Sequence, residues 1–291
     1  MHQTRFLDQT LLAVANVAEQ SLFSEAYAGR RGLLQSLDVR VKILTFAFLL
    51  IVTSFAHSPQ ALWLLYGLGL LLAALSRVPL GFFLKRVWLF VPLFSAAIVL
   101  PSLLNIITPG EPVWVVLSLD RSYEWGPYRI PREIAVTSQG LWGGVIFVSR
   151  VAASVSFAVL FTLTTRWSSI FAGLRALLMP RVFVMTLSMT YRYLFVLLRL
   201  IQDMYRARKS RTIHRLTAAN ERSWVASRIG FLFGKSTEMS SNIYGAMISR
   251  GYHGEALSLS RFRIAPADLL WLVIILLFGV IMLAFERGLV P

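Results

Sequence analysis

The chain has 291 residues, 56% of them hydrophobic and only 15% charged, with a mean hydropathy of +0.65; a soluble domain carries about 25% charged residues, so the composition excludes a soluble domain and reads as an integral membrane protein. The net charge of +15 comes from basic residues that sort by membrane side, not from one patch on a soluble surface, which argues against nucleic-acid binding. The absence of cysteine excludes disulfides, thiolate metal sites and a cysteine nucleophile.

Residues 1–42 form an N-terminal segment. Asp8, Glu19, Glu25 and Asp38 break it up and no uninterrupted apolar run precedes them, so no cleavable signal peptide is expected. Leu7, Leu11, Leu12, Val14, Ala15, Ala18 and Leu22 recur at roughly helical spacing. They predict an amphipathic helix lying on the membrane or on a partner, with a loosely ordered leader as the alternative. A membrane span needs about 20 mostly apolar residues. Five stretches qualify: 43–56, then 61–75 after the turn His57-Ser58-Pro59, 87–107, 140–163 and 264–285. Residues 182–198 are nearly long enough for a sixth. The segment 43–165 thus holds spans one to four, with a loop at 108–139 on the far side and the last span in 264–291. That loop has Pro109-Gly110, Gly126-Pro127 and Pro131 as breakers, and its stretches 113–119 and 128–130 suit a short hairpin.

The fourth span is rich in small residues, namely Gly140, Gly143, Gly144, Ala152, Ala153, Ser154, Ser156 and Ala158. These permit close helix packing in lipid, either within the bundle or against another membrane protein. Arg150 lies inside this span, where facing lipid costs several kcal/mol, so it is expected to face protein or snorkel. Lysine and arginine set the orientation. With the N-terminus cytoplasmic, the inner segments carry five in residues 1–42, three in 77–86 and sixteen in 166–263, against Arg121, Arg129, Arg132 and Arg287 outside. The positive-inside rule favours this arrangement, which leaves the C-terminus outside.

Residues 166–263 form a long, basic, half-apolar segment between the last two spans. Residues 181–211 contain no glycine or proline, and Arg192, Arg199 and Arg206 recur every seven residues as one stripe. This predicts a long helix near the membrane, projecting beyond it, with the stripe either solvated or facing headgroups. A second helix is predicted over 224–249, with Ile229, Leu232, Phe233, Met239, Ile243 and Met247 as its apolar stripe. The small-residue pairs Gly230/Gly234 and Ser241/Gly245 suit a close crossing of two helices, and Gly251 sits where a C-cap glycine belongs. Two arginine triplets, Ser210-Arg211-Thr212 and Ser249-Arg250-Gly251, fall at the C-terminal ends of these helices. There an arginine favours the helix dipole, and its planar fork of donors also suits an acidic or carbonyl-lined groove in a partner. The four histidines lack metal-ligand spacing and no P-loop motif is present, so no catalytic constellation and no resident cofactor or metal are expected. No carboxylate falls in the interior of a span, Asp268 near the start of the last coming closest.

Taken in order, several runs resemble the transmembrane T components of energy-coupling factor transporters, of the cobalt-type CbiQ group. Leu37-Asp38-Val39-Arg40-Val41-Lys42 is similar to the family's L-D-P-R-x-K run before the first span, with Val39 in place of proline. Thr164-Thr165, then Leu174-Arg175-Ala176-Leu177-Leu178-Met179-Pro180 and Tyr191-Arg192-Tyr193, resemble further family runs. Ala207-Arg208-Lys209-Ser210-Arg211-Thr212 and Ala246-Met247-Ile248-Ser249-Arg250-Gly251-Tyr252 resemble the two A-R-G-type coupling motifs. The resemblance implies an all-α integral membrane protein in a prokaryotic cytoplasmic (inner) membrane, a non-enzymatic scaffold with coupling helices between its fourth and fifth spans. Its implied partners are two ABC-type ATPase subunits, which bind the ATP and magnesium, and a separate substrate-binding membrane subunit for a micronutrient, cobalt or a related transition metal foremost. Arg211 would serve one ATPase and Arg250 the other. Ser210 and Thr212 stand where alanine and glycine are usual, which leaves Arg208 as a rival to Arg211. A self-sufficient permease and a membrane-embedded enzyme are the alternatives.

Overall fold

The computed structural model describes residues 28–30, 32–89, 91–103, 105, 110–118, 123–125, 128–130, 133–176, 179–212, 217–254 and 265–286. The amphipathic helix expected within residues 7–22 lies outside them. Two compact units make up the chain, one of Tyr27–Arg166 with Arg263–Pro291, the other of Met1–Ala26 with Trp167–Phe262.

In the first unit, the single turn α1 (Leu33–Ser36) leads to α2 (Val39–Phe55), which starts where the Asp38 carboxylate accepts a hydrogen bond from Arg40 N at 2.9 Å. Helix α3 (Pro59–Leu75) begins with proline in its first turn and with Ser58 Oγ accepting from Ala61 N at 3.3 Å. Helices α4 (Leu80–Trp88) and α5 (Val91–Val99), with the 3₁₀ turn Leu100–Leu103, continue as one apolar stretch broken where Pro92 and Pro101 lack an N–H. This stretch starts seven residues before the expected span because Pro79, just ahead of it, suits a helix start. Helix α6 (Ser138–Thr164) is capped by Thr137 Oγ1, and α10 (Pro266–Glu286) closes the unit.

The core lies between α2, α3, α4 and α6, with Leu49, Leu62, Leu65, Phe83, Phe157 and Leu160 all fully buried. Lipid is as apolar as these side chains, so close packing is what holds them together. The small residues of α6 supply it: Gly140, Gly144, Ala152, Ala153 and Ser156 are buried, and Gly69 of α3 approaches Ser156 so nearly that an added Cβ would lie 3.5 Å from its Cβ. At Gly144 a Cβ would come within 2.8 Å of Val99 Cγ1, so α5 also rests on this face. Helix α10 docks on α2 through Gly279, where a Cβ would stand 2.7 Å from Phe48 Cζ and 3.0 Å from Val52 Cγ2. Its remaining faces carry exposed Leu269, Leu270, Val273, Ile274, Leu277, Val280 and Ile281, as a lipid-facing helix requires.

Arg150 faces protein. Its Nη2 donates to Ala56 O at 2.7 Å, at the turn between α2 and α3. The Glu286 carboxylate grips the same turn from α10, accepting from His57 N and from Ser58 N at 2.6 Å. Between α5 and α6 the described residues form four short strands in two antiparallel pairs. Strand β1 (Pro112–Ser118) pairs antiparallel with β4 (Glu133–Thr137), and β2 (Tyr123–Trp125) with β3 (Tyr128–Ile130). The expected pairing of 113–119 with 128–130 is therefore corrected: 128–130 pairs with 123–125, its nearest strand in sequence and the one with the least loop-closure cost, and the longer β1 takes β4.

In the second unit α7 (Trp167–Ala176) lies on α8 (Arg181–Arg211), followed by α9 (Ala218–Ser249). Among the described residues, four stretches are long and apolar enough to cross a membrane, Leu80–Leu103, Ser138–Thr164, Arg181–Arg211 and Pro266–Glu286, with Pro59–Leu75 shorter. At 1.5 Å per residue the 17-residue α2 and α3 reach about 26 Å, slightly under a hydrocarbon core of about 30 Å. Arg181–Arg211 qualifies although its sequence reads as part of the basic segment, because its apolar residues surround the exposed stripe of Arg192, Arg199 and Arg206 in one unbroken helix. The architecture is an all-α, multi-pass membrane protein with a small strand-paired segment between α5 and α6.

Candidate functional site

The second unit is built on aromatic contacts. Tyr191 of α8 meets Phe171 edge-on at 5.8 Å and Trp167 at 6.4 Å, both on α7, and continues to Phe195 at 5.0 Å. Helix α9 faces α8 in antiparallel fashion. Near the end of α8 the Arg208 guanidinium lies over the Trp224 ring at 4.3 Å, early in α9. At the other end Tyr252, just past α9, donates its hydroxyl to Met185 Sδ at 3.0 Å, early in α8. Between these two contacts the helices stand apart around a groove of about 500 Å³, lined by Met185, Met189, Tyr193, Met239, Ile243 and Met247 among others. Flexible thioethers make such a surface adaptable.

The two arginine triplets terminate these helices. Arg211 is the last residue of α8 and Arg250 the C-cap of α9, and both are exposed. The α9 end is a Schellman cap: Gly251 takes φ +80°, its N–H donates to Ile248 O at 2.9 Å, and Tyr252 N donates to Met247 O at 3.0 Å. The α8 end has no glycine and solves the same problem with hydroxyls. Ser210 Oγ donates to Ala207 O at 2.9 Å and Thr212 Oγ1 to Arg208 O at 2.8 Å, which is the physical counterpart of Ser and Thr in the first triplet. Ser249 Oγ likewise donates to Gly245 O at 2.9 Å.

Because Arg250 sits level with the Met185 end of α8, a rise of 1.5 Å per residue puts the two arginines roughly 40 Å apart, one at each end of the pair. Arg208 differs from both. It is half-buried on the indole, a cation–π contact that engages it within the unit. Nothing in the local sequence pairs Trp224 with Arg208, so sequence reasoning missed this contact.

The predicted stripe of α9 divides. Met239, Ile243 and Met247 line the groove facing α8 and Leu232 is half-buried, whereas Ile229 and Phe233 are 62% and 77% exposed. Gly230, Gly234, Ser241 and Gly245 lie on the exposed side, and a Cβ on any of the three glycines would meet nothing within 4 Å. The helix crossing expected from their spacing therefore has no second helix among the described residues. No three His, Asp or Glu side chains among the described residues gather closely enough to hold a metal ion.

Residues 31–260 match the family model described as CbiQ, cobalt transport protein. The chain is 33% identical over 284 residues to an uncharacterized protein of Methanocaldococcus jannaschii, covering 98% of this chain and 93% of the relative. It is also 30% identical over 145 residues to the energy-coupling factor transporter transmembrane protein EcfT of Acidaminococcus fermentans, covering 50% of this chain and 47% of that protein. With residues 31–260 inside the family model, the chain belongs to the CbiQ cobalt transport protein family and is a membrane component of an energy-coupling transporter.

Proposed function

We propose that this chain is the coupling scaffold of an ATP-driven importer, joining two ABC-type ATPase subunits to a substrate-binding membrane subunit. The observation that carries the reading is the pair of exposed arginines, Arg211 and Arg250, held on capped helix ends roughly 40 Å apart by a 1.5 Å helical rise. That separation is too great for one groove and suits one arginine per ATPase. A guanidinium fixed at a helix terminus offers a preset fork of donors to an acidic or carbonyl-lined pocket. The stacking of Arg208 on Trp224 supports Arg211 as the first contact.

In this reading α8 and α9 lie on the cytoplasmic side with the N-terminus, and closure of the ATPase pair around ATP and magnesium shifts them. The uncovered side of α9, with Ile229, Phe233 and Ile248 exposed, is apolar enough to need a partner, and the substrate-binding membrane subunit is the one assigned to it. The family description and the relative named for energy coupling support the same scheme, with cobalt or a related transition metal as cargo. The test is uptake by proteoliposomes holding this chain alone, this chain with ATPases, and the full set. Uptake is expected only with the full set, and ATP-independent uptake by the chain alone would establish a self-sufficient permease instead.

A further inference from the structure

Two sequence runs take no part in the site above, residues 37–42 and the pair Thr164-Thr165, and in the structure they meet. Lys42, 3% exposed in the first turn of α2, donates from Nζ to Thr164 O at 3.3 Å. Thr164 ends α6, where carbonyls have no intrahelical donor and the helix dipole is negative, so an ammonium suits this position. Thr164 and Thr165 are buried as well, and Thr164 Oγ1 donates back to Leu160 O at 2.8 Å. Asp268, 4% exposed in the first turn of α10, accepts from Asp38 N through Oδ1 at 3.1 Å and from Ala265 N through Oδ2 at 2.9 Å.

The place of this cluster gives it meaning. The chain leaves the first unit at Arg166 and returns to it at Arg263. One crossing therefore follows Thr164 by two residues and the other precedes Ala265 by two, and α2 holds both, through Lys42 and through the Asp38–Asp268 bond. Methionine would fill the Lys42 volume without burying a charge, so packing alone does not account for a lysine.

We propose that Lys42 and Asp268 are positioning residues that clamp both crossings to α2. A displacement of residues 167–262 is then delivered to the membrane helices and is not absorbed as slack in the connections. This rests on the coupling reading above.

The test uses the full complex in proteoliposomes with Lys42→Met, Lys42→Arg and Asp268→Asn, reading ATP hydrolysis, uptake, and amide exchange around residues 164–168 and 265–268. Lys42→Met is expected to speed exchange there about tenfold by local opening, and to lower uptake per ATP about tenfold at near-parental hydrolysis. Lys42→Arg restores part of both. Parental exchange, or faster exchange with a parental uptake-to-ATP ratio, overturns the proposal. Should Lys42→Met fail to insert, Asp268→Asn, which keeps its shape and one acceptor, is judged by the same two readouts. A wild-type chain that holds no ATPase sinks the scaffold reading instead, and exchange in the isolated chain then decides the clamp by itself.

Discussion

Replacing Arg150 by methionine separates two effects that a charge inside a span combines. The guanidinium costs about 2.5–3.5 kcal/mol to insert at a helix centre on biological scales, a cost carried by folded and unfolded spans alike. Its bond to Ala56 O, 2.7 Å long, exists only in the folded bundle. A hydrogen bond from a charged donor is worth about 1.5–3 kcal/mol, so Arg150→Met should insert more readily yet lose about 2 kcal/mol of bundle stability. At about 2–4 °C per kcal/mol for a chain approaching this size, the melting midpoint in detergent falls by about 4–8 °C. Glu286 holds the same turn through His57 N and Ser58 N. Arg150→Met with Glu286→Gln should therefore depart from additivity by at least about 0.5 kcal/mol. An unchanged or raised midpoint in Arg150→Met would refute the reasoning, because the α2–α3 turn would then be indifferent to its side-chain grip.

Two further substitutions probe packing and capping. Gly279→Leu forces a side chain into the space of Phe48 and Val52 and should cost about 1–3 kcal/mol, read as a lower midpoint and as faster amide exchange in α10. Gly251→Val places a β-branched residue at φ +80°, a strain of about 1–3 kcal/mol. It should loosen Tyr252 from Met185 and speed exchange over residues 247–252, with α2 and α6 unaffected.

Much of this fold is written locally. Helical boundaries follow apolar run length, proline and capping side chains, so spans near 61–75, 140–163 and 264–285 emerge within a few residues of α3, α6 and α10. Gly251 at the helix end and Arg150 either facing protein or snorkelling follow from backbone sterics and from the cost of charge in lipid, which need no knowledge of the partner. The contacts that tie the bundle together are different in kind. Asp268 with Asp38 and Glu286 with His57 and Ser58 each join residues about 230 positions apart, and no periodicity encodes which carboxylate reaches which N–H. The strands between α5 and α6 show the same limit on a small scale, since pattern reveals strands but not which of them pair. At the candidate site the helix ends and their arginines were legible, but the antiparallel arrangement that separates them depends on Trp224 and Tyr252, whose partners lie on another helix. The glycine pairs of α9 suggest a packing surface by their spacing, and a Cβ on any of the three glycines would meet nothing within 4 Å among the described residues.

The central claim is that Arg211 and Arg250 each hold one ATPase. It is tested most directly by co-purifying both ATPases with the wild-type chain, with Arg208→Ala, with Arg211→Ala, with Arg250→Ala and with the double variant Arg211→Ala/Arg250→Ala. An interface arginine that acts as an anchor is worth about 2 kcal/mol or more, a factor of roughly 30 in affinity. Each single arginine loss at a helix end should therefore weaken retention, Arg208→Ala should do so least, and the double variant should insert normally yet retain neither ATPase and no uptake. A double variant that keeps both ATPases and parental uptake would contradict the account.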